Sequence, residues 1–272
     1  ETGAASHGSQ RWISIGPFSL QPSELAKIGI ILFLAAYISS KSREMRQWKK
    51  MVIPFLFAIP IIVIVGIENL STCIILLAIS FIMIFVATPL LVPFVVIGLI
   101  GVAGAGGLLL TQGYRMERIT VWLDPAASEK GHQTIQGLYA IGSGGLFGKG
   151  LGQSMQKLGF LPEANNDMIF SVICEELGLF GALCVLALFF ALIWRFMVIA
   201  VNAPDLYGSM IVVGVIAHIG IQVFINIAVA TNTIPNTGIP LPFISYGGSS
   251  LVFMLLEMGL VLSVSRYINV KK

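Results

Sequence analysis

Four groups of polar residues occur where an apolar chain tolerates them only for a reason. The stretch PEANNDMIFSVICEELG (162–178) sets Glu163, Asp167, Glu175 and Glu176 around the start of a long apolar run. A carboxylate there either caps the helix that follows or accepts a proton in a reaction. Capping employs one carboxylate, and this stretch has four. QPSELAK (21–27) places Pro22 and Glu24 in a first helical turn, which their ring geometry and charge both suit. Glu24 and Lys27 are three apart on one face, as a structural ion pair or a functional one. His218, Gln222 and Asn226 recur at i, i+4 and i+8 and share a helix face. They suit hydrogen bonds between packed membrane helices, or the lining of a polar cavity. In IPLPFISYGGSS (239–250), Pro240 and Pro242 interrupt helix and Gly247 and Gly248 permit close backbone approach. Ser249 or Ser250 can cap the last helix, turning its positive end toward a phosphate, or the segment is a plain turn.

These residues need a membrane-embedded scaffold. Of 272 residues, 56% are hydrophobic and 11% charged, with mean hydropathy +0.91. A soluble domain has about 25% charged residues to solvate its surface, so most of this exterior faces lipid. Seven segments approach the roughly 20 apolar residues of a membrane span: 24–40, 51–67, 71–87, 91–111, 170–199, 207–230 and 249–268. The expected fold is an all-α polytopic transmembrane bundle, a single integral membrane domain over 1–272. Five basic residues in 41–50 (Lys41, Arg43, Arg46, Lys49, Lys50) put that loop in the cytoplasm. Alternation then places 88–90, 200–206 and the C-terminus inside, where Arg266, Lys271 and Lys272 agree, and 1–23, 112–169 and 231–248 outside. The 112–169 stretch is too long for a plain connection. Its Tyr114, Trp122, Leu138, Tyr139, Phe147 and Phe160 predict an ordered extracytoplasmic lid.

Several functions are excluded. Cys73, Cys174 and Cys184 lie in apolar stretches with neither disulfide nor zinc spacing. The net charge of +3 clusters as topology requires and implies no nucleic acid. GSGGLFGKGLG (142–152) resembles a P-loop, but Gly150 follows Lys149 where the motif needs Ser or Thr, and it also fails the dinucleotide pattern. The first ten residues contain no apolar signal core and read as a loop interior to a longer protein.

Taken in order, RWISIGPFSLQPSELAK (11–27), RITVWLDP (118–125), the run from Ala140 to Gly181, and QVFINIAVATNTIPNTGIPLPFISYGGSS (222–250) resemble the SEDS family of cell-wall polymerases, RodA, FtsW and SpoVE. The FtsW form is the nearer. The resemblance implies ten helices with both ends cytoplasmic, three of them upstream of Glu1. It implies a lipid-linked glycosyltransferase in the cell (inner) membrane, with its active site on the extracytoplasmic face. Lipid II and a growing glycan on undecaprenyl pyrophosphate are the implied substrates, and a class B penicillin-binding protein transpeptidase the implied partner. The family's key acid maps onto Asp167, as general base for the acceptor hydroxyl. Arg11, Lys27, Arg118, Lys149 and Lys157 are the expected cations for the leaving diphosphate, with a divalent cation such as Mg²⁺ as a possible helper. Glu24, Glu163, Gln222, Asn226 and Ser249 complete the expected substrate-binding set.

The sequence departs from the family pattern twice. Asn165-Asn166-Asp167 stands for His-Thr-Asp, and IENLST (67–72) for QPDLGT. Two other functions compete: a lipid II flippase, which needs polar groups through the bilayer depth, and a non-catalytic division scaffold, for which Asp167 is dispensable. Glu257 is the one deep acid in the helices, with no basic partner nearby in sequence. Charges gathered at the outer face favour the enzyme.

Overall fold

The computed structural model describes residues 3–6, 9–15, 18–88, 113–128 and 131–268. Strands β1 (Gly3–Ser6), β2 (Ser9–Ile15) and β3 (Phe18–Leu20) lead into α1 (Pro22–Ser40), α2 (Trp48–Glu68) and α3 (Leu70–Ala87). After residues 89–112 come α4 (Gly113–Leu123), α5 (His132–Ser143), α6 (Ile169–Asn202), α7 (Leu206–Ala230) and α8 (Gly248–Arg266). Among the described residues six helices, α1, α2, α3, α6, α7 and α8, are long and apolar enough to cross a membrane. They coincide with six of the seven expected spans; the remaining one, 91–111, lies outside the described residues. The chain is a multi-pass helical membrane protein.

Within the single membrane domain expected from sequence, two compact units are distinguishable: residues 1–94, 192–221 and 247–272, and residues 95–191 and 222–246. In the first, α1 packs against α2, α3 and α8. Ile31, Leu34, Ala35 and Ile38 of α1 are buried, as are Ile75, Leu76, Ile79 and Met83 of α3. Gly214 of α7 admits this packing: a Cβ there would lie 2.6 Å from Ile31 and 3.0 Å from Met83. Asn69 caps α3 by accepting the Thr72 N–H at 3.2 Å, so the divergent IENLST segment is a helix start. Helix α2 contains Pro54 and Pro60, which membrane helices accommodate.

The segment before α1 corrects the expectation of a loop over the first ten residues, where β1 and the start of β2 lie. Its strands form an antiparallel sheet of order β1-β2-β3, with Ile13 opposite Leu20 and Ile15 opposite Phe18. The alternating, β-branched ISI followed by Gly16-Pro17 carried that signal.

In the second unit, the described residues of the long 112–169 connection include α4, α5 and short 3-10 turns at Pro125–Ala127 and Gln156–Leu158. Helix α6 contains the span expected at 170–199. At about 1.5 Å per residue its 34 residues would extend about 51 Å if straight. It is interrupted at Gly178 (φ 67°, ψ −168°). The glycine-rich 144–150 segment fills the break. Lys149 and Gly150 N–H groups donate to Glu175 and Glu176 carbonyls, and Leu179 and Phe180 N–H groups donate to Gly145 and Leu146 carbonyls, all at 2.9–3.1 Å. Only glycine fits this crossing, because a Cβ on Gly178 would stand 2.4 Å from Gly148 N.

Candidate active site

Asp167 lies in a turn two residues before α6, 7% exposed. Its carboxylate does not cap the helix. It accepts from Gln133 Nε2 of α5, at 3.3 Å to Oδ1 and 3.5 Å to Oδ2, and from its own backbone N–H. Burial and the nearby charge of Glu163 push its pKa up from 3.8 to about 6, with Gln133 and the positive charge of Arg118 opposing the rise. A carboxylate so placed is a stronger base than a solvated aspartate, yet ionised at neutral pH.

The turn is fastened from above its backbone. Three successive carbonyls accept hydrogen bonds: Asn165 O from Tyr246 N at 2.8 Å, Asn166 O from Ser245 Oγ at 2.6 Å, and Asp167 O from Asn226 Nδ2 at 2.8 Å. Asn226 Nδ2 also donates to Ile239 O at 2.8 Å, and Gln222 Nε2 to Pro240 O at 2.9 Å. The same 231–246 loop reaches the carboxylate side. Asn236 Nδ2 donates to Gln133 Oε1 at 2.9 Å, and Arg118 donates to Asn236 O at 3.2 Å. Thus α4, α5, α7 and two loops converge on one acid. Gly238, at φ 66°, sits with its Cβ position 4.0 Å from Asp167 Oδ2, keeping that oxygen's approach small. Glu163 is also strained, with φ 55°, and holds the Asn166 side chain through its carboxylate. The Asn165-Asn166 departure therefore acts through backbone carbonyls and a bond to Glu163.

The expected residues divide in three. Asp167, Glu163, Arg118, Gln222 and Asn226 come together as described. Lys149 and Lys157 are engaged elsewhere in the same unit: Lys149 Nζ binds Glu175 at 2.6 Å and Lys157 Nζ binds Glu176 at 2.5 Å. Glu175 is fully buried and also accepts from Ser154 Oγ at 2.5 Å, while Glu176 accepts from Gly152 N at 3.0 Å. Two of the four carboxylates are thus staples for the 144–157 loop. Glu24, Lys27, Ser249 and Arg11 belong to the other unit. Glu24 and Lys27 form a buried ion pair at 2.8 Å. Arg11 lies on β2. Ser249 is not a cap: α8 starts at Gly248, with Gly247 as its uncapped N-cap, so both serines fall inside the first turn.

Glu257, which has no basic neighbour in sequence, meets one in the fold: His218 Nδ1 lies 2.9 Å from both its carboxylate oxygens, with both side chains buried. They are 39 residues apart, which sequence proximity could not reveal. On the polar stripe of α7, Gln222 and Asn226 donate to loop and turn carbonyls, while His218 Nε2, Gln222 Oε1 and Asn226 Oδ1 are buried without a hydrogen-bond partner among the described residues. Sequence reading also missed Gln133 and Asn236. Asn236 had a signal in the turn-forming PNTG; Gln133, an amide at the start of a short helix, had none.

Against known proteins, the chain matches the cell cycle protein family of FtsW, RodA and SpoVE over residues 2–270. It is 48% identical to stage V sporulation protein E of Bacillus subtilis, over 97% of this chain and 74% of that protein. It is 36% identical to a probable peptidoglycan glycosyltransferase FtsW of Geobacter sp. strain M18, over 97% and 73%. Among solved structures it resembles a chain of a peptidoglycan synthase complex that coordinates polymerization and crosslinking, at TM-score 0.79 and 28% identity over 98% of this chain and 76% of that one. It also resembles the rod shape determining protein RodA of Thermus thermophilus, at TM-score 0.69 and 29% identity, covering 98% and 72%.

Proposed function

We propose, from its membership of the FtsW/RodA/SpoVE family, to which this chain belongs, that it is a peptidoglycan glycosyltransferase with Asp167 as general base. The observation that carries the assignment is a buried carboxylate, pKa about 6, held by Gln133 and clamped through its backbone. The substrates are lipid II and a glycan strand on undecaprenyl pyrophosphate. Asp167 takes the proton of the acceptor sugar hydroxyl as that oxygen bonds to the anomeric carbon of the donor. The anomeric bond to diphosphate breaks, and undecaprenyl pyrophosphate leaves with the electron pair. Arg118 is the cation beside this acid, and its charge offsets the developing diphosphate. A divalent cation such as Mg²⁺, bound through the substrate phosphates, would neutralise diphosphate charge and leave Asp167 free as the base.

The reaction faces the extracytoplasmic side of the inner membrane, because the basic 41–50 loop orients the helices. A class B penicillin-binding protein is the partner. Gly178, Gly181 and Ala182, small residues suited to helix docking, are all buried within the chain, leaving exposed Ala187 on α6 as the contact. Crosslinks from the partner's helix to 24–40 instead would exclude that placement. The central experiment is polymerisation of purified lipid II by the full-length protein and its Asp167→Ala variant. Loss of strand synthesis with normal membrane insertion is expected. Wild-type synthesis by the variant would leave the scaffold reading standing, and translocation without synthesis by the parent would favour the flippase.

A further inference from the structure

Between α5 and α6, the segment 144–160 turns large apolar side chains outward. Leu146 is 65% exposed, Phe147 82%, Leu151 78% and Leu158 72%, and Met155 and Phe160 are more than half exposed. Isolated apolar residues on a solvated surface are ordinary; a contiguous set this large marks a contact surface. The backbone cannot carry these side chains inward, because it is pinned at both ends of the segment. Gly145 and Leu146 carbonyls and Lys149 and Gly150 N–H groups are bonded to α6. The Glu175 and Glu176 carboxylates hold Gly152, Ser154, Met155 and Gln156 N–H groups and both lysines.

The position of the patch identifies what covers it. The bonds from Leu179 N to Gly145 O and from Phe180 N to Leu146 O set Leu146 and Phe147 beside the first turn of α6 after Gly178. That turn itself exposes Leu179, Phe180 and Leu183. The patch therefore continues a lipid-facing surface sideways from the helix. Lys149 and Lys157, each about one-third exposed, stand among its apolar side chains. Cations on flexible stems beside apolar anchors suit the level of lipid phosphates.

We propose that segment 144–160 is an interfacial anchor, whose Leu146, Phe147, Leu151 and Leu158 insert into the acyl–headgroup boundary of the phospholipid leaflet on the Asp167 side. The same rigid segment leads through Leu161 into the Asp167 turn, so the anchor fixes the height of the acid relative to lipid-linked diphosphates. The inference rests on α6 crossing the membrane and not on the chemistry of Asp167, so its test reads lipid contact rather than turnover.

The full-length protein, with its native cysteines replaced, is labelled with a fluorophore at Phe147→Cys, Leu151→Cys or Ala126→Cys. It is reconstituted in phosphatidylethanolamine–phosphatidylglycerol vesicles without lipid II. Nitroxide-bearing phospholipids should quench the labels at 147 and 151 several-fold more than the one at 126, and aqueous iodide should do the reverse. Iodide quenching at 147 equal to that at 126 overturns the proposal. Protection that appears only with added lipid II, or only with a co-reconstituted transpeptidase, also overturns it, assigning the patch to the polyprenyl chain or to a protein. Because labelling itself could disturb the loop, unmodified protein is crosslinked in parallel with a photoreactive phospholipid. Adducts on peptides spanning 144–160 are expected, and their absence where α6 peptides are labelled counts against the anchor.

Discussion

Changing the charge around Asp167 should move the pH dependence of the reaction in a direction fixed by the site. Its pKa stands near 6 rather than 3.8, a difference of about 2 units or about 3 kcal/mol. Burial contributes most and the Glu163 charge next. A general base works deprotonated, so kcat/KM for lipid II should rise with pH through about 6. At pH 5 the ionised fraction is about one-tenth and at pH 7 about nine-tenths, following a single titration. Glu163→Gln removes a like charge and should move this limb to lower pH. Arg118→Gln removes an opposing one and should move it to higher pH. The stability sign is opposite to that of a salt-bridged acid. With its folded pKa raised, the folded protein binds more protons than the unfolded chain between about pH 4 and 6. Stability therefore falls as pH rises through that window, and the whole penalty is present at neutral pH. Asp167→Asn should remove the penalty while lowering the rate about 10²–10⁴-fold, giving a variant no less stable than the parent at pH 7.5. The assay is purified full-length protein with lipid II from about pH 3 to 8.5, with thermal unfolding alongside. A limb near pH 4 that Glu163→Gln leaves in place would refute the reasoning, as would a flat profile between pH 5 and 7.

Asn226→Ala removes two buried bonds that tie Asp167 O to Ile239 O; it should cost about 2–6 kcal/mol, at about 1–3 kcal/mol per stranded carbonyl, and slow synthesis, as thermal shift and turnover would show. Gly178→Ala meets both a left-handed φ and backbone within 2.6 Å; about 2–5 kcal/mol of destabilisation is expected, read as new protease cleavage within 144–157. Topology is checked by labelling intact cells: a cysteine at Ser128 should react with an impermeant reagent and one at Gln47 should not, and the reverse pattern would invert the membrane orientation.

The sequence by itself settled the class of this protein and singled out Asp167 as its candidate base. Lipid imposes lengths and hydropathy that are written into consecutive residues, so α1, α2, α3, α7 and α8 were legible almost to their ends. The motif around Asp167 is likewise local, a single turn at the edge of an apolar run. Pairing across the fold was not legible, because nothing in a one-dimensional pattern states which distant groups meet. His218 finds Glu257 on another helix, and Lys149 and Lys157 find Glu175 and Glu176 across the break at Gly178. Four carboxylates in one stretch looked alike in sequence. Tertiary structure separated them by their partners: two are held by lysines as staples, one bonds Asn166, and Asp167 is buried with, among the described residues, no ion pair on its carboxylate, so burial drives it toward a neutral-range pKa.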